Sequence, residues 1–304
     1  MSKISVILAT FNEEKNLPSC LESVKDLASE IVIVDGSSTD KTVKIANKYT
    51  DKVFVRDNPL MFHINKQRAI EKATGDWILY LDADERVSPE LAKEIKEMIE
   101  SVPGNVNGLW LPRKNIIFNK WIAHAGWYPD YQLRLFRRGK GFLPCKSLHE
   151  QPEVHGETLF LHMPLEHLNY QRVSQFVDKL NHLYTENDKN IFLKLNKKIH
   201  WYDALRWPVG EFLKRFFREE GYKDGLHGLV LSLLQSFSSL VTFAKIWEEK
   251  GFKEEMPASF PEKVSQELKG LAREFNYWLL TSKLSGSVSL SRKFYYKVRR
   301  KLLG

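Results

Sequence analysis

Cysteine is nearly absent from this chain: Cys20 and Cys145 are the two it has in 304 residues, in no metal-binding spacing. Neither a disulfide framework nor a cysteine-rich metal site follows from them, and a reducing compartment fits. The start, MSKISVILATFNEE, has too short an apolar stretch and meets acid too soon for a secretory signal, so it reads as a first strand. Internal repeats and low-complexity tracts are missing, which excludes solenoids and wholesale disorder. The loop after that strand, ATFNEE, lacks the glycine-rich basic loop of a nucleotidyltransferase. No nucleic-acid-binding motif accompanies the basic residues, and nucleic acid is set aside as a partner.

Hydrophobic residues make up 43% and charged residues 28%, the balance of a soluble globular protein long enough for an α/β domain and something extra. The net charge of +8 is unevenly spread. Residues 1–190 hold 25 Lys and Arg against 26 Asp and Glu, whereas residues 191–304 hold 21 against 12. A basic last third seeks polyanions, such as an anionic membrane face or phosphorylated substrates.

The chain is organised around DWILYLDADE, Asp76 to Glu85, an apolar run ending in acid. It predicts a buried central strand whose carboxylates emerge at its C-terminal edge, where open parallel sheets bind ligands. Two carboxylates one residue apart push one pKa up unless a cation sits with them, and Mg²⁺ or Mn²⁺ bound with diphosphate oxygens would serve. The alternative is an acidic strand end in a solvated loop. Before it, Ile4 to Ala9, Ile31 to Val34 and Lys52 to Arg56 read as strands, alternating with helices at about Leu17 to Leu27, Lys41 to Tyr49 and Asn65 to Ala73. That alternation implies right-handed crossovers and a mostly parallel sheet. The loops Thr10 to Glu13, Asp35 to Ser38 and Asp82 to Glu85 would then meet along one edge. Taken alone, the Asp35 loop is equally a turn whose Asp binds its own backbone.

SVILATFNEEKNL, IVIVDGSSTDKT and GDWILYLDADE resemble the three nucleotide-binding blocks of the family 2 glycosyltransferases, which have the GT-A fold. PRKNIIFNKWIAHAGWYPDYQLRLFRR and LHE look like the subgroup of bacterial glucosyltransferases acting on the lipopolysaccharide inner core. Family members often carry Arg-Asn or Lys-Asn where this chain has Lys66-Gln67. The resemblance implies a nucleotide-sugar site of Thr10, Phe11, Asn12, Glu13, Asp35, Gly36 and Ser37 around base and ribose. Asp82, with Ala83, would contact ribose or metal, Asp84 would be the direct metal ligand, and Lys66 would touch the diphosphate or remain a solvated helix lysine. His149 is a possible third metal ligand, while His162 and His167 read as structural.

A displacement by a sugar hydroxyl needs one general base. Asp130, in WYPDYQLRLFRR, is the candidate and Glu150 the second. Arg134 and Arg137 would help the leaving diphosphate, although strand alternation points them to opposite faces. The aromatic residues Phe118, Trp121, Trp127, Tyr128 and Tyr131 suit either sugar rings or a second core layer.

In the last third, aromatic and cationic residues mix between Trp201 and Arg218, and Gly225 to Ala244 runs 20 residues without an acidic or basic side chain, His227 taken as neutral. Its apolar stripe faces away from Ser232, Gln235, Ser236, Ser239 and Thr242, so it would lie on a bilayer, pack on another helix, or span. Arg292 to Lys301 adds six cations and three aromatics.

The expectation is therefore a GT-A catalytic domain over residues 1–200 and a helical, basic, membrane-associating region over 201–304. Its activity would be inverting, metal-dependent transfer of a hexose, glucose from UDP-glucose, to a lipid-linked or lipopolysaccharide-core acceptor. The protein would be cytoplasmic, peripheral on the inner face of the cytoplasmic membrane. The competing expectation is a non-catalytic, membrane-tethered nucleotide-sugar-binding module.

Overall fold

The structure, a computed structural model, describes residues 2–59, 61, 63–146, 150–253, 256–285 and 289–303. The chain forms two compact units, residues 1–116 with 128–169, and residues 117–127 with 170–304.

The first unit opens as its alternation of apolar runs demands. Strands β1 (Ile4–Thr10), β2 (Glu30–Asp35), β3 (Val53–Val55) and β4 (Trp77–Leu81) lie in the order β3-β2-β1-β4, all parallel. In β1, β2 and β4 the β-branched and leucine side chains are buried on both faces, the pattern of a strand covered twice, whereas the edge strand β3 exposes Val55. Helix α1 (Leu17–Val24) closes on one face with Leu17, Cys20, Leu21 and Val24. On the other face α3 (His63–Lys72) buries Ala69 and Ile70 beside Ile7, Ile78 and Tyr80. The connecting α2 is short, Thr42–Ala46.

Beyond β4 the sheet changes direction. After β5 (Glu85–Arg86) and α4 (Pro89–Ser101), the long β6 (Val106–Ile117) begins, and β7 (Lys120–Trp121) pairs with it. Next come β8 (Asp130–Arg137), the short pair β9 (Gly141–Phe142) and β10 (Glu153–Val154), then β11 (Glu157–Phe160) and β12 (Leu165–Tyr170). The sheet continues β4-β8-β6-β12-β5, with β8 antiparallel to both β4 and β6. In α4, Ser88 Oγ accepts the Leu91 N–H at 3.2 Å as a cap, and Leu91, Ile95 and Ile99 recur every fourth residue on the buried side.

The second unit is helical: α5 (Val173–Lys179), α6 (Thr185–Lys194), α7 (Asp203–Leu213), α8 (Leu226–Glu249), α9 (Phe260–Ser285) and α10 (Leu290–Leu303). Its core gathers Ile117, Ile122, Tyr170, Phe176, Leu180 and Leu231, with Phe118 and Trp127 packed against it. Two of the aromatic residues weighed for sugar stacking are thus core-forming, whereas Trp121 and Tyr131 stay exposed. The helical unit takes in residues from 170 onward, upstream of the division at 200 drawn from composition.

Candidate active site

Parallel strands deliver their loops to one edge, and register fixes which residues meet. Thr10 stands opposite Asp35, and Leu8 opposite Leu81, so the ends of β1, β2 and β4 are level. With neighbouring strands about 4.8 Å apart, the ends of β2 and β4 lie roughly 10 Å apart, within reach of one nucleoside diphosphate. The loops are stitched together. Asp35, fully buried, accepts from Thr10 Oγ1 at 2.8 Å and from Ser38 N and Oγ at 2.7 Å each. Ser38 Oγ accepts in turn from Asn12 N at 2.8 Å, and Asn12 Oδ1 accepts from Thr39 N at 2.9 Å. Asn12 and Ser37 hold positive φ, 56° and 62°. A Cβ at Gly36 would stand 2.9 Å from Asn58 Oδ1, so the Asn58 side chain lies close over the glycine. Asp35 therefore shapes the loop with both oxygens, as the turn reading of this segment held. Phe11 is exposed on the rim, and Glu13 Oε2 accepts from Asn16 Nδ2 at 2.9 Å.

At the end of β4 a chain of opposite charges begins. Lys66, 6% exposed, stands 2.5 Å from Asp82 Oδ1, and Arg134 Nη2 is 2.7 Å from Asp82 Oδ2 and 2.6 Å from Glu85 Oε1. Arg113 lies 3.9 Å from Glu85 and 2.5 Å from Asp130 Oδ2. Three cations alternate with three carboxylates, and the guanidinium of Arg134 also lies 4.2 Å from the centre of the Tyr80 ring. Burial opposes the charge on Asp82, but Lys66 and Arg134 outweigh it and hold the carboxyl well below the usual carboxylate range. At Asp130, too, burial pulls upward, and Arg113, Asn115 and Gln132 more than offset it, so the carboxyl is held low.

Glu85 is the residue that sequence reasoning left as part of an acidic run. It is completely buried and accepts the Asp82 N–H at 2.9 Å, which fixes the Asp82-Ala83-Asp84 turn. Arg86 clamps the same turn by donating to the carbonyls of Ala83 (2.7 Å) and Asn16 (2.8 Å). Ala83 itself is buried, which leaves Asp82 and Asp84 to face the edge.

Asp84 has a different surrounding from Asp82. His167 Nε2 stands 3.4 Å from Asp84 Oδ2, and His167 Nδ1 lies 2.7 Å from Asn115 Oδ1. Asn115 also takes Asn169 Nδ2 on Oδ1 at 3.3 Å and gives Nδ2 to Asp130 at 3.2 Å, so its amide orientation is set. Asn115 Oδ1 facing Nδ1 suits a ring that donates there and turns Nε2 toward the Asp84 carboxylate. Carboxylate oxygen and imidazole nitrogen at this separation suit neighbouring positions on one divalent ion. His167, read from sequence as structural, is buried and held by Asn115 beside Asp84.

The same geometry corrects several expectations. The repulsion argument for a metal at Asp82 fails, because Lys66 and Arg134 already engage its two oxygens. The buried Lys66 is no solvated helix lysine. Arg137 pairs in register with Trp77 at the start of β4, its guanidinium 4.5 Å from the Trp77 ring and Nε donating to Val106 O. That is the opposite end of the strand from Asp82, roughly 16 Å away at 3.3 Å per residue, so it does not serve the diphosphate. Glu150 accepts from the N–H groups of Cys145 (2.5 Å) and Lys146 (2.8 Å), fixing its own loop, which disfavours it as a base. His149 lies outside the described residues. Among the described residues no group of three or more His, Cys, Asp or Glu is arranged to hold a metal ion.

Residues 5–152, which include all three loops and the Asp130 strand, match the model for Glycosyl transferase family 2. An uncharacterised glycosyltransferase of Rickettsia typhi is 27% identical over 260 residues, 82% of this chain and 88% of its own length. The lipopolysaccharide core biosynthesis glycosyltransferase LpsC of Rhizobium meliloti is 26% identical over 261 residues, 82% of this chain and 94% of its own. Among solved structures, glucosyl-3-phosphoglycerate synthase from Mycobacterium tuberculosis in complex with Mg²⁺ and uridine diphosphate has a TM-score of 0.40 at 14% identity, covering 65% of this chain and 81% of that one. Sheet, loops and family match agree: residues 5–152 form a family 2 glycosyltransferase domain of GT-A type, and the chain is a glycosyltransferase.

Proposed function

We propose that this glycosyltransferase transfers a hexose, glucose from UDP-glucose, with inversion onto a lipid-linked or lipopolysaccharide-core acceptor, using a divalent metal. The observation that carries the reading is the meeting of three polar strand ends at one sheet edge, with an ionised carboxylate, Asp130, joined to the end of β4 by the charge chain through Arg113, Glu85 and Arg134. The acceptor class is supported by the relative named for lipopolysaccharide core biosynthesis.

In this reading the loops at Thr10 to Glu13 and Asp35 to Ser37 hold base and ribose. Asp130, kept deprotonated by Arg113, Asn115 and Gln132, takes the proton of the acceptor hydroxyl as that oxygen bonds to the anomeric carbon. The bond from that carbon to the diphosphate oxygen breaks, and attack from the side opposite the leaving group inverts the anomeric configuration. Arg113 lowers the basicity of Asp130 while ensuring that it is ionised, so a cation leads the base rather than a neighbouring acid. Lys66 and Arg134 are braced at the strand end by Asp82 and Glu85, where positive charge favours a departing diphosphate. Asp84 and His167 would hold Mg²⁺ or Mn²⁺, which when bound supplies further neutralisation of the leaving group.

The test is release of nucleoside diphosphate across a panel of nucleotide sugars, with and without a lipid A-core acceptor, in the presence of Mn²⁺ or EDTA. Acceptor-stimulated release from UDP-glucose that EDTA abolishes is expected. Undiminished release in EDTA would refute the metal, and preference for another donor would refute the sugar.

A further inference from the structure

Helix α8 is packed inside out. A soluble helix turns its large apolar residues inward. Here the buried positions are Gly228, Leu231, Ser232, Thr242 and Ile246, three of the five small or hydroxylated. The exposed positions include Leu226 (73% exposed), Leu233 (52%), Phe237 (50%) and Leu240 (40%), one stripe along the helix. The reversal is built into local contacts. Gly228 sits where a Cβ would come within 1.8 Å of the Gly221 carbonyl oxygen. Ser232 Oγ donates to Gly228 O, and Ser236 Oγ donates to Pro208 O on α7, both at 2.7 Å. The hydroxyl face expected on the polar side is thus packed together with Leu231 and Ile246, while Leu226, Leu233, Phe237 and Leu240 face out.

α10 repeats the arrangement independently. It carries Arg292, Lys293, Lys297, Arg299, Arg300 and Lys301 and no acidic residue. Its inner side meets α9 through cation–ring contacts, Lys283 on Tyr296 and Arg300 on Tyr277, both at 5.7 Å. Phe294 (71% exposed), Tyr295 and Val298 point outward among the cations. Contiguous exposed apolar side chains mark an interaction surface, and the charge beside them selects an anionic partner.

We propose that the helical unit binds the surface of an anionic lipid bilayer. The α8 stripe and the α10 rings would sit at the boundary of headgroups and acyl chains, and the α10 cations on lipid phosphates. With 24 residues and a mean hydropathy of 1.6 over an 18-residue window, α8 is long and apolar enough to cross a membrane. Its packing argues for lying in the plane instead: Gly228, Leu231, Ser232 and Thr242 are buried along the helix and Ser236 Oγ bonds Pro208 O on α7, so a crossing helix would have to shed these contacts or draw α7, with Asp203, Arg206 and Glu211, into hydrocarbon.

The test is flotation of the full chain with phosphatidylcholine vesicles with or without phosphatidylglycerol, at low and high salt, read without any turnover assay so that it stands apart from the donor and acceptor assignment. Three variants accompany the wild type: Leu233→Ser/Phe237→Ser/Leu240→Ser, Phe294→Ser/Tyr295→Ser, and Lys297→Glu/Arg299→Glu. Each alters exposed positions, and circular dichroism checks that helix content is unchanged. Wild-type protein should float with anionic vesicles, lose binding in high salt, and bind at least tenfold more weakly in every variant. Equal binding to neutral and anionic vesicles, or variants that bind like wild type, would overturn the proposal. So would a wild type that ignores vesicles and forms a dimer, by sedimentation, that the α8 substitutions dissociate.

Discussion

Arg134→Met tests whether the charge chain holds the end of β4. The guanidinium touches Asp82 at 2.7 Å and Glu85 at 2.6 Å, with Arg134 2% exposed and Glu85 0%. Without it Asp82 keeps Lys66, but Glu85 retains the Asp82 N–H at 2.9 Å and a guanidinium at 3.9 Å, too little for a carboxylate out of water. Removing one partner of a buried pair costs about 3–5 kcal/mol, largely the penalty of the abandoned charge. The companion Arg134→Met/Glu85→Leu removes that charge as well. It should be more stable than the single variant despite fewer native contacts, leaving a loss of about 1–3 kcal/mol from the unmatched Asp82 N–H. Urea unfolding followed by tryptophan fluorescence, with the fully buried Trp77 as a reporter on β4, gives both values. A single variant losing less than about 1 kcal/mol, or a double variant less stable than the single, would refute the reasoning.

Glu30 governs acid stability in the same unit. Burial opposes its charge, but Lys52, Ser5 and Thr74 bring its pKa from 4.5 to about 2. Because the folded value is depressed, the stabilisation is present above about 4.5 and is lost as pH falls toward 2, roughly 3 kcal/mol in all. Denaturation midpoints taken across that window should fall for the wild type and flatten for Glu30→Gln; parallel profiles would contradict it. Asn115→Ala frees the Nδ1 side of His167, and the Mn²⁺ concentration for half-maximal turnover should rise about 10- to 100-fold; an unchanged requirement removes His167 from the metal account. Thr10→Val deletes a donor to the buried Asp35 and should cost about 1–3 kcal/mol in thermal or urea unfolding. A neutral effect would mean that Asp35 is held by Ser38 alone.

The parallel half was legible in the sequence because each of its strands is a short apolar run closed by a polar loop, and each helix shows its buried face at fixed spacing. Asp82, Asp84 and Asp35 stood at the ends of those runs. The antiparallel half was not legible, since nothing local says that β8 inserts between β4 and β6 or that β12 lies beside β5. For that reason Glu85 was visible only as one acid in a run, and Arg113, Asn115 and His167 could not be joined to partners far away in the chain. His167 had no ligand at sequence spacing because its partner is Asp84. Arg137 failed for a related reason: strand alternation says which face it takes but not that its register places it beside Trp77. α8 showed its two faces in sequence, yet which face points inward depends on Gly228 and on the carbonyls it meets.

The central claim is that one nucleotide sugar lies along this sheet edge with Asp130 as the base. Calorimetric titration of UDP-glucose with Mn²⁺ into wild type and Asp130→Asn, beside single-turnover rates with acceptor, measures it directly. The account predicts equal donor affinity and a rate lower by about 10²- to 10⁴-fold in the variant. A variant that turns over at the wild-type rate would contradict it.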